Sequence, residues 1–270
     1  MKNKKLFGAM VLFVFFVSAQ SLYAMEVQGS IEFRYLSRNI WRGFDVYEKN
    51  HGAFQTELDV FLPTTGFGFT TMYSRATRSG FENQQWWPYS FYYKTDFMQD
   101  SAAKTNFKIA WTHYAHPDEP RSAADMQEIS GEFAWPELFG NGLTPKYTMA
   151  AMWPSEGKSR VRNNGGWAHI FGLEYDWKVA ALEEHVDSIK LSTELVYNGG
   201  FAPGSATRNG LIDGSTVDHD WSHMVFGAST EYKIADNTSL TPGMFYQRSM
   251  DDSVNRRDEF WMQLGVKYTF

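Results

Sequence analysis

The sequence predicts an all-β protein: a transmembrane antiparallel up-and-down β-barrel of about twelve strands, following a cleaved N-terminal signal segment. Three observations predict it. The final stretch alternates strictly, with Phe260, Met262, Leu264, Val266, Tyr268 and Phe270 in one phase. Glu259, Trp261, Gln263, Gly265, Lys267 and Thr269 occupy the other. A two-residue period means a strand with one apolar and one mostly polar face. Aromatic residues make up 17% of the chain, yet its mean hydropathy is only -0.43. A barrel in lipid accommodates both, because every second residue is polar and aromatics gather at the two interfaces. Finally, alternating stretches of about ten residues recur along the chain between turn-forming residues.

The elements follow in order. Near 27–37, Ile31, Phe33 and Tyr35 oppose Glu32 and Arg34. Across 53–62, Phe54, Leu58, Val60 and Leu62 oppose Gln55, Glu57 and Asp59. Pro63-Thr64-Thr65-Gly66 then turns the chain into 67–75, where Phe67, Phe69 and Tyr73 alternate with Gly68, Thr70 and Ser74. Near 89–97, Tyr89, Phe91, Tyr93 and Phe97 face away from Ser90, Lys94 and Asp96. The stretch 105–114 sets Phe107, Ile109 and Trp111 against Asn106, Lys108 and Thr112. In 126–135, Ile129, Phe133 and Trp135 oppose Glu128, Ser130 and Glu132. Pro136 and Gly140-Asn141-Gly142 follow as a turn. The stretch 143–153 is less regular and carries Pro145. In 167–177, Phe171, Leu173, Tyr175 and Trp177 oppose Gly172, Glu174 and Asp176. Near 188–198, Ile189, Leu191, Leu195 and Tyr197 oppose Lys190, Ser192 and Glu194. The stretch 221–233 has Met224, Phe226 and Tyr232 against Gly227, Ser229, Glu231 and Lys233. The stretch 238–248 carries Leu240, Met244 and Tyr246, interrupted by Pro242, and the C-terminal strand completes the set.

Long connections after odd strands alternate with short ones after even strands throughout this reading. That is the asymmetry of a barrel with long external loops and short periplasmic turns, and it puts both ends of the barrel on the periplasmic side. A secreted β-sandwich also alternates, but one face here is aromatic or aliphatic on strand after strand.

The N-terminus agrees. Lys2, Lys4 and Lys5 precede an apolar run, Leu6–Ala19, and Leu22-Tyr23-Ala24 offers a small-residue cleavage site. Residues 1–24 are therefore read as a signal peptide and 25–270 as the barrel, exported through the periplasm to a bacterial outer membrane. The absence of cysteine excludes a lipobox anchor, disulfides and thiolate chemistry. A net charge of -6 argues against nucleic acid as a partner. The partners expected are outer-membrane lipid and lipopolysaccharide, the barrel-assembly machinery, and small hydrophilic solutes. Tyr268 and Phe270 form the expected assembly signal, since a terminal aromatic strand resembles the one that barrel-insertion machinery reads.

If the apolar faces meet lipid, the other faces look into a lumen. The pore-lining candidates are Arg34, Arg38, Arg42, Glu57, Asp59, Lys94, Asp96, Lys108, Glu132, Glu174, Lys190 and Glu194. Such a mixture either attracts and sorts hydrated solutes or pairs laterally and helps close the lumen. The segment Ser37–Phe44 flanks Trp41 with two arginines. It could fold into the mouth; the expectation on physical grounds is that Trp41 sits in the interface girdle and the arginines reach lipid headgroups.

Ser37, Ile40, Trp41, Arg42 and Gly43 at the end of the first strand, then Gln55 and Gly66-Phe67, carry a resemblance. They are similar to the Ser-x-x-Ile/Val-Trp-Arg-Gly element of the TorF-like family of small bacterial outer-membrane porins. The likeness spans Tyr35–Ser74 and departs at Asn39, where that family has an aromatic, and at Thr65, where it has Ser. It implies a diffusion channel.

No catalytic residue, metal site or cofactor is expected, and the chain is read as a channel rather than an enzyme. The alternatives weighed are a non-conducting barrel serving as adhesin or envelope scaffold, and a surface hydrolase. The longest loop, 199–220, would carry the latter, with Ser215, Asp218, His219, Asp220 and nearby His223. No Gly-x-Ser-x-Gly elbow occurs. His219 with His223 is a pair four residues apart, and His113 with His116 and Asp118 a loose cluster, whereas a transition metal needs three or four converging ligands. Asp251, Asp252, Asp258 and Glu259 form an acidic stretch that could meet Ca²⁺. The one helix-like stretch, Val179–His185, is read as a periplasmic turn.

Overall fold

A computed structural model of the protein describes residues 26–47, 52–77, 85–118, 125–156, 165–179, 184–202 and 217–270. The predicted signal peptide, Ser215 and most of the helix-like stretch lie outside these residues. The described chain is all β. After β1 (Gln28–Leu36) come a short hairpin of β2 (Ile40–Trp41) and β3 (Phe44–Asp45), then β4 (Ala53–Leu62), β5 (Phe67–Ala76), β6 (Gln85–Phe97) and β7 (Thr105–Ala115). They are followed by β8 (Met126–Ala134), β9 (Leu143–Pro154), β10 (Gly166–Trp177), β11 (Val186–Gly199), β12 (His219–Ala235), β13 (Thr238–Leu240), β14 (Gly243–Ser249) and β15 (Glu259–Thr269).

Except for β2 and β3, every strand joins one antiparallel sheet, and β1 pairs with β15 to close it. Pro242 splits what is otherwise one strand: β13 and β14 keep a single register on β15, Leu240 facing Val266 and Gly243 facing Gln263. Counting them together gives a closed barrel of twelve strands. Closure removes the exposed edge that an open sheet could not keep in lipid. At the seam, the amide and carbonyl of Gly29 exchange 2.9 Å hydrogen bonds with those of Phe270.

The prolines sit where the ladder can spare a donor. Pro88 lies in β6, and the β5–β6 ladder skips from Thr71–Tyr89 to Ser74–Trp86 around it. Pro145 is near the start of β9, whose pairing is otherwise regular. β6 begins at Gln85 rather than Tyr89, so its preceding loop is shorter than expected. The long–short alternation therefore loosens there: 77–84 is no longer than the turns 135–142 and 178–185.

The two phases of every strand separate as the alternation requires. Each wall strand presents an exposed large apolar residue: Phe33, Phe54, Phe67, Phe91, Ile109 and Ile129 on one half, and Met149, Phe171, Leu191, Phe226, Met244 and Leu264 on the other. Aromatic rings pair across strands on this face, Phe69 with Phe91 at 5.0 Å and Tyr147 with Phe171 at 5.2 Å. Exposed Trp87, Trp167 and Trp221 mark the loop end, and Phe67, Trp177 and Tyr268 the turn end. Leaving one such side chain in water forgoes roughly 1.5–3 kcal/mol. A continuous belt of them, bounded by aromatics, calls for an apolar solvent.

Candidate pore and its inner hairpin

The inner phase holds the predicted charges, and register decides which of them meet. Glu32 and Glu57 oppose each other across β1 and β4. Arg34 resolves their repulsion by binding Glu57, reaching Glu32 at 3.4 Å and donating to Gln55 at 2.9 Å. Asp59 accepts the hydroxyls of Thr70 at 2.5 Å and Tyr92 at 3.1 Å. Glu174 accepts Lys146 at 2.7 Å and lies 3.5 Å from Lys190. Lys267 pairs with Glu231 at 2.6 Å. Lateral pairing thus accounts for part of the set.

Five of the candidates stay unpaired. Among the described residues, Lys94, Asp96, Lys108, Glu132 and Glu194 make no ion pair. Lys94 and Lys108 are register neighbours on β6 and β7. Their ammonium groups lie over aromatic faces instead, Lys94 at 3.4 Å from the Phe61 ring and Lys108 at 4.8 Å from that of Tyr92. With Asp96 and Glu132 they line a cavity of about 790 Å³ at the turn end. Glu194 also stays exposed on the inner face of β11.

Toward the loop end the interior changes character. A second cavity of about 350 Å³ lies between Arg34 and Glu57 on one side and Trp41, Trp86, Tyr114 and Trp261 on the other. Above it the barrel is filled. Several inward positions here are small or apolar: Ala53, Ala150 and Ala168 are fully buried, as are Met126 and Met152. The space they leave is occupied by the β2–β3 hairpin, Tyr47, Phe201 and Val254.

The expectation that Trp41 joins the outer girdle is corrected here: Trp41 lies inside the barrel, 5.3 Å from Trp86, 5.1 Å from Tyr114 and 6.1 Å from Phe201. The indole gains ring contacts there that an interface position lacks, and the Arg42 guanidinium lies 5.0 Å from its ring. Its neighbours explain the rest of the turn. Arg42 and Gly43 have φ of 47° and 90°, two consecutive left-handed residues of the tight hairpin turn that joins β2 to β3. A Cβ on Gly43 would meet His223 Nδ1 at 2.6 Å and Val254 at 2.8 Å. Its carbonyl accepts Gln247 at 3.0 Å and Asn255 at 3.1 Å. The guanidinium of Arg42 reaches neither headgroups nor open water: it is bound to Glu128 on β8, which also accepts the Tyr114 hydroxyl at 2.8 Å. Arg38 is bound to Glu259. Ser37 ties β1 to Met262, and Gln55 donates to Asn39 at 3.3 Å, so the motif from Ser37 to Gln55 builds this inner structure, while Gly66-Phe67 lies at the turn end.

The other clusters regroup. His223 turns inward onto Ser222 at 2.8 Å, and Asp218 meets Ser253 through its amide, so the described part of 199–220 brings no catalytic set together. Asp118 lies by Gln85, and Asp125 takes its place beside His113 and His116. Among the described residues, no group of three could hold a metal ion. The acidic stretch disperses: Asp251 caps its own turn, and Glu259 takes Arg38. Asp258 accepts Tyr246 and the Ser249 amide, which hold its carboxyl below the usual range. The aromatics inside, Trp86, Tyr92, Tyr114, Phe245 and Trp261, were legible only as apolar residues in the polar phase of their strands.

An apolar belt around a closed antiparallel wall with a charged interior defines a class, the transmembrane β-barrel. No protein-family profile and no curated protein matches the sequence. Among solved structures, the fold is similar to the NanC porin, at 9% identity over 88% of this chain and 98% of that one, with a TM-score of 0.54. It is likewise similar to the KdgM porin, at 10% identity over 89% and 99%, TM-score 0.51. An outer membrane channel from Pseudomonas putida F1 matches at 9% identity over 90% and 95%, TM-score 0.50. At such identities the likeness is one of fold.

Proposed function

We propose that the protein is a porin-like channel of the bacterial outer membrane through which small hydrophilic solutes diffuse passively. The observation that carries this is the set of unpaired charges, Lys94, Asp96, Lys108 and Glu132, around the turn-end cavity. Charges kept unpaired on an inner wall serve hydrated solutes better than they serve stability. The mixture of signs favours small polar and zwitterionic solutes over polyanions. In this reading the pore-lining residues are those predicted, with Arg42 holding the constriction. The signal peptide delivers the chain to the periplasm, Tyr268 and Phe270 present it to the assembly machinery, and the belt contacts lipid and lipopolysaccharide. The TorF-like resemblance supports the same class through the motif that builds the hairpin.

One observation favours a second reading, a barrel that does not conduct: the apolar cluster filling the loop end. Single-channel recording of the refolded chain in a planar bilayer decides between them. Stable conductance steps support the channel. A heat-modifiable, folded barrel that passes no current overturns it and leaves the scaffold reading.

A further inference from the structure

Outside the lumen, the loop-end rim carries a constellation that neither the pore nor the barrel requires. His113 is on the outer phase of β7, Asp125 precedes β8, and Ser155 follows β9. Ser155 Oγ lies 3.4 Å from His113 Nδ1, and His113 Nε2 lies 3.5 Å from Asp125 Oδ2. Both contacts are long, as catalytic hydrogen bonds often are before substrate binds. The supports are firmer. Asp125 Oδ1 accepts the His116 amide at 2.9 Å, and the Asp125 carbonyl accepts the Ser155 amide at 2.9 Å, tying nucleophile to acid through the backbone. Burial pushes the Asp125 carboxyl up, and the hydrogen bonds and charge of His116 and His113 outweigh it, so the group stays ionised. The His113 ring is held beside Tyr89 at 5.1 Å. Gln127 accepts the Trp111 indole N–H at 3.2 Å through Oε1, which leaves its amide N–H groups as donors. Gln127, Ser155 and Trp87 share the wall of one cleft of about 580 Å³ with the histidine and the acid.

We propose that Ser155, His113 and Asp125 form an ester-hydrolysing centre whose substrate is the fatty-acyl ester of a lipid at the membrane–water boundary. In the tautomer this geometry selects, His113 Nε2–H donates to Asp125 and Nδ1 accepts the Ser155 hydroxyl. Ser155 Oγ bonds to the ester carbonyl carbon as its proton passes to Nδ1. The Gln127 amide is placed to receive the developing oxyanion. Collapse breaks the ester C–O bond, and the alcohol leaves with the proton from Nδ1. Water, deprotonated by the same nitrogen, then releases the fatty acid and restores Ser155. The exposed indole of Trp87 places the cleft at the aromatic girdle, where an acyl chain and its ester are both within reach.

The test uses the refolded full chain in detergent micelles, with its fold checked by heat-modifiable migration. A fluorophosphonate probe is expected to label Ser155, mapped by mass spectrometry. Hydrolysis of a micellar phospholipid bearing a fluorogenic acyl ester is expected to fall at least ~100-fold in Ser155→Ala and in His113→Phe, which keeps the ring stacked. Turnover of p-nitrophenyl butyrate as fast as of the phospholipid would keep the esterase and overturn the lipid substrate. A folded barrel that neither labels at Ser155 nor exceeds the Ser155→Ala rate overturns the centre altogether. Channel conductance is expected to be unchanged in both variants, whose residues lie outside the lumen, so this outcome is separable from that of the pore.

Discussion

Arg42 and Glu128 are separated by 86 residues in sequence and joined by two contacts of 2.8 Å, Nη2 to Oε1 and Nη1 to Oε2. The side chains are 12% and 3% exposed, so the pair is nearly dry. It fastens the β2–β3 hairpin to the opposite wall. Removing one partner of such a pair typically costs 3–5 kcal/mol, because the other charge is left uncompensated.

Arg42→Gly tests that fastening without straining the turn, since glycine accepts the left-handed backbone. The hairpin is expected to leave the barrel for a larger fraction of the time. The measure is single-channel conductance, which should rise, together with faster proteolysis of the first loop. Unchanged conductance would mean that the hairpin is held by its apolar contacts alone.

Gly43→Ala acts on the same hairpin from the other side. A methyl group there meets His223 and Val254, in a backbone conformation that costs a non-glycine residue of order 1–3 kcal/mol. It should release the hairpin as Arg42→Gly does, while a substitution at exposed Ala102, in a turn at the opposite end, leaves conductance alone.

Ion preference should follow the unpaired charges rather than all of them. Neutralising Lys94 and Lys108 together is expected to shift the reversal potential in a salt gradient toward cation preference, and Glu132→Gln with Glu194→Gln toward anions. The Arg34→Gln variant should chiefly destabilise, because it leaves Glu32 and Glu57 facing each other across β1 and β4.

The lipid-facing phase is testable at Leu264, exposed in the middle of β15. Leu264→Arg should lower folding stability by about 2–4 kcal/mol if the site lies near the bilayer centre. Gln263→Arg, one residue away on the inner face, should be far milder. Refolding into lipid vesicles, followed by gel migration against urea, compares the two.

At the seam, the Phe270 ring covers Gly29 so closely that a Cβ on Gly29 would meet it at 2.6 Å. Deleting Phe270 should slow insertion by the assembly machinery in cells, and Gly29→Val should loosen the β1–β15 closure in vitro. Outer-membrane yield and thermal denaturation report the two effects.

The sequence by itself determined the barrel: its strands, their two faces, the turn end and the lipid belt. These follow from a two-residue period and from turn residues, which are local properties that survive errors of a few residues in any boundary. Pairing was beyond its reach. Whether Glu57 meets Arg34, or Lys108 stays clear of Glu132, depends on side-chain reach across a wall whose register the sequence does not print. The hairpin was beyond it for a different reason. Trp41 and Arg42 looked like interface residues because nothing nearby in the chain offered them a partner. Their partners, Glu128, Trp86, Tyr114 and Phe201, come from distant strands and loops, and the room for them comes from Ala53, Ala150 and Ala168. An alanine in the polar phase of a strand says only that space is left; what fills it is decided when the barrel closes, because only then does leaving that space empty carry the cost of an unfilled core.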